Sequence, residues 1–200
     1  MNKTKVSDLM KSLETSFPAY YNLNYNFRVE NLDSLLTVID DNVAILQYFE
    51  SNDHVFLLML SKGMCKIYRM PAINKSAIND LWKQFDYQSV MAGTQEDFVN
   101  FQVLTNQIYN ELVKAPLDSL GNLKIDKLYF IPDKSLYGLP LDILATEVNT
   151  SARPNYKNIK YLINDYDISY DYSISSIFHK RIINDGTIVS RGKILAMAPF

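Results

Sequence analysis

Cysteine is almost missing from this chain: Cys65 is the only one in 200 residues. A single thiol closes no disulfide within the chain, which fits a reducing compartment. Histidine is nearly as scarce, with His54 and His179 alone. Neither has a partner at metal-ligand spacing such as His-x-x-x-His or Cys-x-x-Cys. The 6 glycines form no phosphate-binding loop, no Gly-x-Ser-x-Gly elbow and no GxGxxG fingerprint. Excess charge is lacking too. Lys and Arg number 20 against 22 Asp and Glu, a net charge of -2, and the basic residues are scattered. Nothing here pulls on nucleic acid or an anionic membrane. The most apolar segments, VAILQYF and VFLLML, fall far short of the roughly 20 residues a bilayer requires. The opening MNKTKVSDLMKSLETSF has no signal-peptide core. These absences predict a soluble, cytoplasmic protein with no nucleic-acid partner, no membrane span, no metal and no cofactor.

What is present is an ordinary globular composition, 48% hydrophobic and 21% charged, enough for one domain of good size or one domain with a small appendage. The 14 tyrosines and 10 phenylalanines read as fillers of cores and edge strands, since no basic groove accompanies them for base stacking. Val6, Leu9, Met10, Leu13 and Phe17 recur at helical spacing, and Pro18 stops that helix. Asn31 is an N-cap for a short helix through Ile39 with Leu32, Leu35 and Leu36 on one stripe. Three strand-like runs follow, Val43 to Phe49, His54 to Leu60 and Met64 to Met70. Lys62-Gly63 makes a tight hairpin turn between the last two. This predicts an antiparallel meander whose middle strand, apolar on both faces, is covered on both sides.

Two helices are predicted next. Ser76 to Tyr87 places Ile78, Leu81, Trp82 and Phe85 on one face. Gln95 to Lys114 opens with Thr94 and Asp97 in capping-box positions. Pro116 and Gly121 close that region. Later segments alternate strand and helix. Leu128 to Ile131 reads as a buried parallel strand, and a short helix is predicted from Pro140. Tyr161 to Ile163 and Ile168 to Tyr170 read as strands. Ser173 caps a helix to about Ile183, and Lys193 to Ala198, KILAMA, is a further buried strand. The pattern predicts an α/β fold with a mixed sheet. Sites in such sheets form at the carboxyl ends of strands. Because the chain stops right after KILAMAPF, the loops that would carry chemistry are expected beyond it.

Residue by residue, bland readings win. His54 opens a strand and His179 sits late in a helix. Cys65 reads as a small core residue, with a thiol site formed by Cys65 and His54 across the hairpin as the alternative. Asp133 and Lys134 flank a surface bend where Asp bonds its own backbone. Asp40 with Asp41, and Asp165 with Asp167, lack a calcium-loop pattern and read as solvated loop ends.

One stretch is more specific. LYFIPDKSLYGLPLDIL, Leu128 to Leu144, resembles the signature of CHAT domains, caspase-like domains found behind tetratricopeptide repeats in many bacterial proteins. The matching positions are Leu128 to Ile131, Pro132, Asp133, Leu136, Leu139, Pro140, Leu141, Asp142, Ile143 and Leu144. Phenylalanine and glutamate are more usual where Leu141 and Asp142 stand. YLINDYDISYDYSISSIF resembles the family's next block, with Ser173 and Ser175 at the helix start and Tyr172 where a proline is common. KILAMAPF, FPAYYNLNYN and the run from Asn42 through Met70 agree in order. The resemblance implies a caspase-like fold, with helices on both faces of the sheet, incomplete at its C-terminal side. Residues 1–30 would be an N-terminal helix and entry segment, and 31–200 the N-terminal part of the domain. It implies a cysteine peptidase with a His–Cys dyad, both members lying past Phe200. None of His54, His179 and Cys65 matches a dyad position, so no catalytic residue is carried over. Implied partners are a protein substrate or regulator and tetratricopeptide repeats in the parent protein; a sheet edge left exposed by a cut after the last strand is expected to pair with a second copy. A non-catalytic interaction module of the same fold is the alternative.

Overall fold

Alternation of side chains decides the sheet. The structure, a computed structural model, describes residues 3–18, 31–72, 75–84, 94–150 and 153–178. Its strands are β1 (Val43–Glu50), β2 (His54–Ser61), β3 (Met64–Pro71), β4 (Lys127–Ile131) and β5 (Asp167–Tyr170). They form a five-stranded sheet in the order β3-β2-β1-β4-β5. β1, β2 and β3 are an antiparallel meander, while β4 runs parallel to both β1 and β5. The chain is therefore the α/β, mixed-sheet fold that the sequence predicts. Ser61 pairs with Met64 around Lys62-Gly63, and Gly63 has φ 66°. No atom lies within 4 Å of a Cβ built there, so the turn needs glycine for its backbone angle and not for space.

The chain divides into two units, Asn31–Tyr172 and a second made of Met1–Glu30 with Ser173–Phe200. In the larger unit, one sheet face carries Ala44, Leu46 and Tyr48 of β1, Val55, Leu57 and Met59 of β2, and Leu128 and Phe130 of β4. These join one buried cluster with residues of three helical segments. α3 (Lys75–Gln84) supplies Ile78 and Leu81. α4 (Gln95–Tyr109) supplies Phe98, Phe101 and Ile108, and the turns after it add Leu112, Val113 and Leu117. Burial of this apolar area is the main force holding the unit together. α2 (Leu32–Val38) starts as predicted, with the Asn31 side chain accepting from the Asp33 N–H at 3.0 Å. It is tied to the hairpin by the Gly63 N–H donating to the Leu36 carbonyl at 3.2 Å.

Several elements differ from the sequence reading, each for a local reason. β2 is fully covered on one face only. Val55, Leu57 and Met59 are buried, and so is Leu60 near the hairpin, but Phe56 is 39% exposed. Its neighbours on that second face, Phe49 and Ile67, are exposed too, whereas Val43, Ile45 and Ile131 are buried. Cover of the second face thus stops short of the Phe49 end.

α4 does not run straight to Lys114. It loosens into a π turn over Asn110–Lys114 and resumes as α5 (Ala115–Asp118). Pro116 sits in the first turn of α5, where its missing N–H is tolerated, so it does not close the region. The buried Tyr48 hydroxyl donates to the Leu112 carbonyl inside the π turn at 3.2 Å.

Among its described residues, the crossover from β4 to β5 contains no α-helix. It runs through single 3-10 turns at Lys134–Leu136, Leu141–Ile143, Tyr156–Asn158 and Leu162–Asn164. The predicted helix from Pro140 is one such turn. Beyond it the chain is rich in Thr, Asn and Pro, residues that prefer turns to helix. Tyr161 to Ile163 is not a strand. Tyr161 makes an isolated bridge with Ala145, and a 3-10 turn follows at once. Leu136, Leu139, Leu141, Leu144 and Leu162 are all buried, so packing holds this helix-poor segment in place.

In the second unit, α1 (Lys3–Ser16) leaves Val6, Leu9 and Phe17 exposed. Residues 174–178 are helical, and the Ser173 hydroxyl accepts from the Ser176 N–H at 3.1 Å, the predicted start. Phe85, His179 and the KILAMA run lie outside the described residues. Among the described residues, no helix is long and apolar enough to cross a membrane.

Two predictions come from these contacts. Replacing Tyr48→Phe removes the bond to the π turn and leaves the Leu112 carbonyl buried without it. Urea unfolding should show a loss of about 1 kcal/mol. The second concerns pH. Thr94 and Asp97 form the predicted capping box, the Asp97 N–H donating to the Thr94 hydroxyl at 3.1 Å and the Thr94 N–H to the Asp97 carboxylate at 3.0 Å. The Thr94 N–H, then its hydroxyl, hold the Asp97 carboxyl below the ordinary 3.8. A depressed carboxyl stabilises fully above its unfolded value and loses that contribution as pH falls through the folded one. Helix content measured by circular dichroism should therefore drop below pH ~4, and drop less steeply in Asp97→Asn.

Candidate functional site

β1, β4 and β5 are parallel, so their carboxyl ends lie together, and α/β sheets bind ligands at that rim. The rim is built by the Pro132-Asp133-Lys134-Ser135 turn after β4. Gln47 is in register with Ile131, which brings Glu50, three residues on, beside this turn. Asp133 Oδ2 accepts the Glu50 N–H at 2.9 Å. Glu50 Oε2 accepts the Ser135 N–H at 2.9 Å and also the Ser135 hydroxyl. The Lys134 ammonium donates to the Glu50 carbonyl. Lys134 itself has φ 45°, the left-handed region that a side chain enters at a cost of about 1–2 kcal/mol. The four bonds to Glu50 offset that strain. The reading of Asp133 as bonded to its own backbone is therefore corrected: it reaches the last residue of β1.

A second clasp follows. The Tyr170 hydroxyl, at the end of β5, donates to Asp142 Oδ1 at 2.7 Å and accepts the Asp142 N–H at 3.1 Å. Burial, then the bond to the Asp142 carboxylate, pushes the Tyr170 phenol far above its ordinary range. It stays a neutral donor throughout the physiological range. The motif Leu128–Leu144 thus ties both neighbours of β4 to the rim, β1 through Glu50 and β5 through Tyr170.

Beside these clasps lies a cavity of about 200 Å³, lined by Pro132, Tyr137, Tyr170, Asp171 and Tyr172. Asp171 is only 6% exposed. Its N–H donates to the Phe130 carbonyl at 2.9 Å, and its Oδ1 accepts the Tyr172 N–H at 2.8 Å.

The residues singled out in the sequence are scattered. His54 lies at the same end of the sheet as the rim but on β2. Its Nε2 is 2.7 Å from an Arg69 guanidinium nitrogen, and because guanidinium only donates, Nε2 is the acceptor. Cys65 pairs with Leu60, six residues further along β2, or roughly 20 Å away at strand rise. A Cys65–His54 dyad is therefore ruled out by register. Asp41 pairs with Lys62 at 2.6 Å and Asp167 with Lys127 at 3.5 Å, all at loop or strand ends. Among the described residues, no three His, Cys, Asp or Glu side chains gather as a metal site would need. A second cleft of about 390 Å³, at the opposite end of the sheet, is lined by Asn42, Ser61, Lys62 and Lys124 among others. The buried Ser61 hydroxyl there has no hydrogen-bond partner among the described residues.

Glu50, Ser135 and Tyr170 were not singled out by sequence reading. Glu50 bonds to residues 83 to 85 positions away, and no local pattern announces such a contact. Asp142 had a signal, being a conservative change inside the motif. Neither the models of known protein families nor any curated protein matches this chain.

Truncating Glu50→Ala should leave the Ser135 N–H and hydroxyl without their acceptor. The expected loss in urea unfolding is about 2 kcal/mol, with Ser135→Ala losing less. Equal, negligible losses would mean the clasp is not holding the turn.

Proposed function

We propose that this chain is the N-terminal scaffold of a CHAT-type, caspase-like cysteine peptidase domain. On this reading the catalytic histidine and cysteine follow residue 200, and the parent protein cleaves a protein substrate in the cytoplasm. One observation supports the proposal above the rest. The stretch that resembles the family signature acts as a brace, fixing the carboxyl ends of β1, β4 and β5 through Glu50 and Tyr170. A thiolate attack on a peptide carbonyl, with histidine taking the thiol proton and returning it to the leaving amine, needs a rim that keeps its geometry. The brace supplies stiffness there without using a nucleophile of its own. Tetratricopeptide repeats in the parent protein belong to the same proposal.

Pairing of two copies through a sheet edge is also part of it, and β3 is the poorer edge for this. Lys66, Arg69 and Pro71 lie along β3, the devices that discourage strand addition. The second reading, a non-catalytic interaction module, is favoured by Phe49, Phe56 and Ile67, exposed on one sheet face.

Expression from the coding sequence continued past codon 200 tests the two. A continuation containing a His-Gly turn and a strand ending in cysteine should give a product that cleaves protein substrates and loses activity on alkylation. Absence of those residues from the frame would sink the peptidase reading and leave the module.

A further inference from the structure

The cleft of about 390 Å³ lies at the end of the sheet opposite the rim. Three segments meet there: the turn before β1, the hairpin turn after Ser61, and the loop that runs from the helical layer into β4. Ser61 pairs with Ala44, so its side chain shares the helix-covered face of the sheet. It is the polar end of a row in β2 whose other members, Val55, Leu57 and Met59, are apolar core. Ser61 lines the cleft yet is only 1% exposed, which puts it at the floor. Its hydroxyl has no hydrogen-bond partner among the described residues. A buried hydroxyl without a bond costs free energy that an alanine would not. Packing alone therefore does not account for serine here, whereas a group entering the cleft does.

The charges of the lining decide between ligand classes. Lys62 is engaged by Asp41 at 2.6 Å. Lys124 has no acidic partner among the described residues. Two lysines against one aspartate leave one positive charge in excess. A cation would meet that excess. A purely apolar group would leave the Ser61 hydroxyl unpaired and strip water from an ammonium. A phosphate dianion would exceed the single charge and press on Asp41. A carboxylate carries one charge and two acceptor oxygens, one for the hydroxyl and one for the ammonium. The Asn122 carboxamide is a further donor on the same lining, and Leu123, 44% exposed, offers an apolar wall to a short stem.

We propose that this cleft binds the carboxylate of a small organic acid or of a polypeptide C-terminus, with the Ser61 hydroxyl and the Lys124 ammonium as its donors. The site does not rest on the peptidase reading, since every lining residue lies within Asn31–Tyr172.

The test is an NMR titration of the 200-residue chain at low salt with acetate, N-acetyl-leucine, their neutral amides and inorganic phosphate. Saturable shifts at Ser61, Asn122 and Lys124 are expected with the two carboxylates and not with the amides. Tighter binding of N-acetyl-leucine than of acetate identifies a chain terminus as the source, and equal binding a small acid. Ser61→Ala should weaken acetate binding by about tenfold or more, because a buried hydroxyl bonds strongly to a charge. Lys124→Gln, at an exposed position, should weaken it by about two- to fivefold. Circular dichroism checks the fold of both variants. Ser61→Ala removes an unpaired group, so the urea midpoint of the free chain should not fall. A lower midpoint would mean that the hydroxyl is bonded within the fold, and would overturn the proposal. So would amides that bind as well as the acids, phosphate that binds more tightly than acetate, carboxylate binding unchanged in both variants, or no saturation by about 100 mM.

Discussion

The larger unit depends on β1 being paired on both sides in opposite senses. Its antiparallel partner β2 follows through a short turn, while its parallel partner β4 arrives only after β3 and the helices α3, α4 and α5. Both ends of that parallel pairing are clamped by β1's own flanks. At one end the Asn42 carbonyl accepts the N–H groups of Asp126 and Lys127, each at 3.1 Å, and its side chain donates to Asp126 at 2.7 Å. At the other, Glu50 holds the turn after Ile131. Apolar burial brings the strands together, but it tolerates sliding. A slip of one residue would turn Leu128 and Phe130 away from the core, and the two clamps oppose it. Between them Tyr48 reaches across to the π turn, so the same strand fixes the helical layer as well.

Much of this architecture was legible in the sequence because it is locally encoded. The Asn31 cap, the Thr94–Asp97 box, the Lys62-Gly63 turn and the Ser173 cap each involve residues at most three apart. Strand β4 was legible from its apolar run. What was not legible depends on distant partners or on strain. No periodicity distinguishes a π turn from an α turn over Asn110–Lys114, because the difference lies in how Leu112 and Val113 reach the core. Pro140 looked like a helix start and opens only a 3-10 turn, since Leu144 turns extended and Ala145 is drawn into a bridge with Tyr161. The candidate site was the least legible part. Its brace joins Glu50 to Ser135 and Asp142 to Tyr170, pairs that topology creates.

The two faces and two edges of the sheet are not equivalent, and the difference bears on partners. Beneath α3 and α4 the sheet is sealed by side chains exposed by 8% or less. On the second face, burial of Val43, Ile45, Leu60 and Ile131 gives way to exposed Phe49, Phe56 and Ile67 toward the end that also carries the rim. Apolar surface and rim therefore share one end of the sheet in the larger unit.

The carboxylates at the rim hold the chain to itself. Four carboxylates, from Glu50, Asp133, Asp142 and Asp171, gather where β1, β4 and β5 end. All four receive N–H or hydroxyl donors: Ser135 on Glu50, the Glu50 N–H on Asp133, Tyr170 on Asp142, and the Tyr172 N–H on Asp171. Such dipolar partners position a carboxylate without cancelling its charge, whereas a lysine would neutralise it. The one nearby ammonium, on Lys134, is directed to a backbone carbonyl instead. The geometry of the rim is thus locked by dipolar partners on every one of these carboxylates, so the turn after β4 and the end of β5 are held by the same kind of bond.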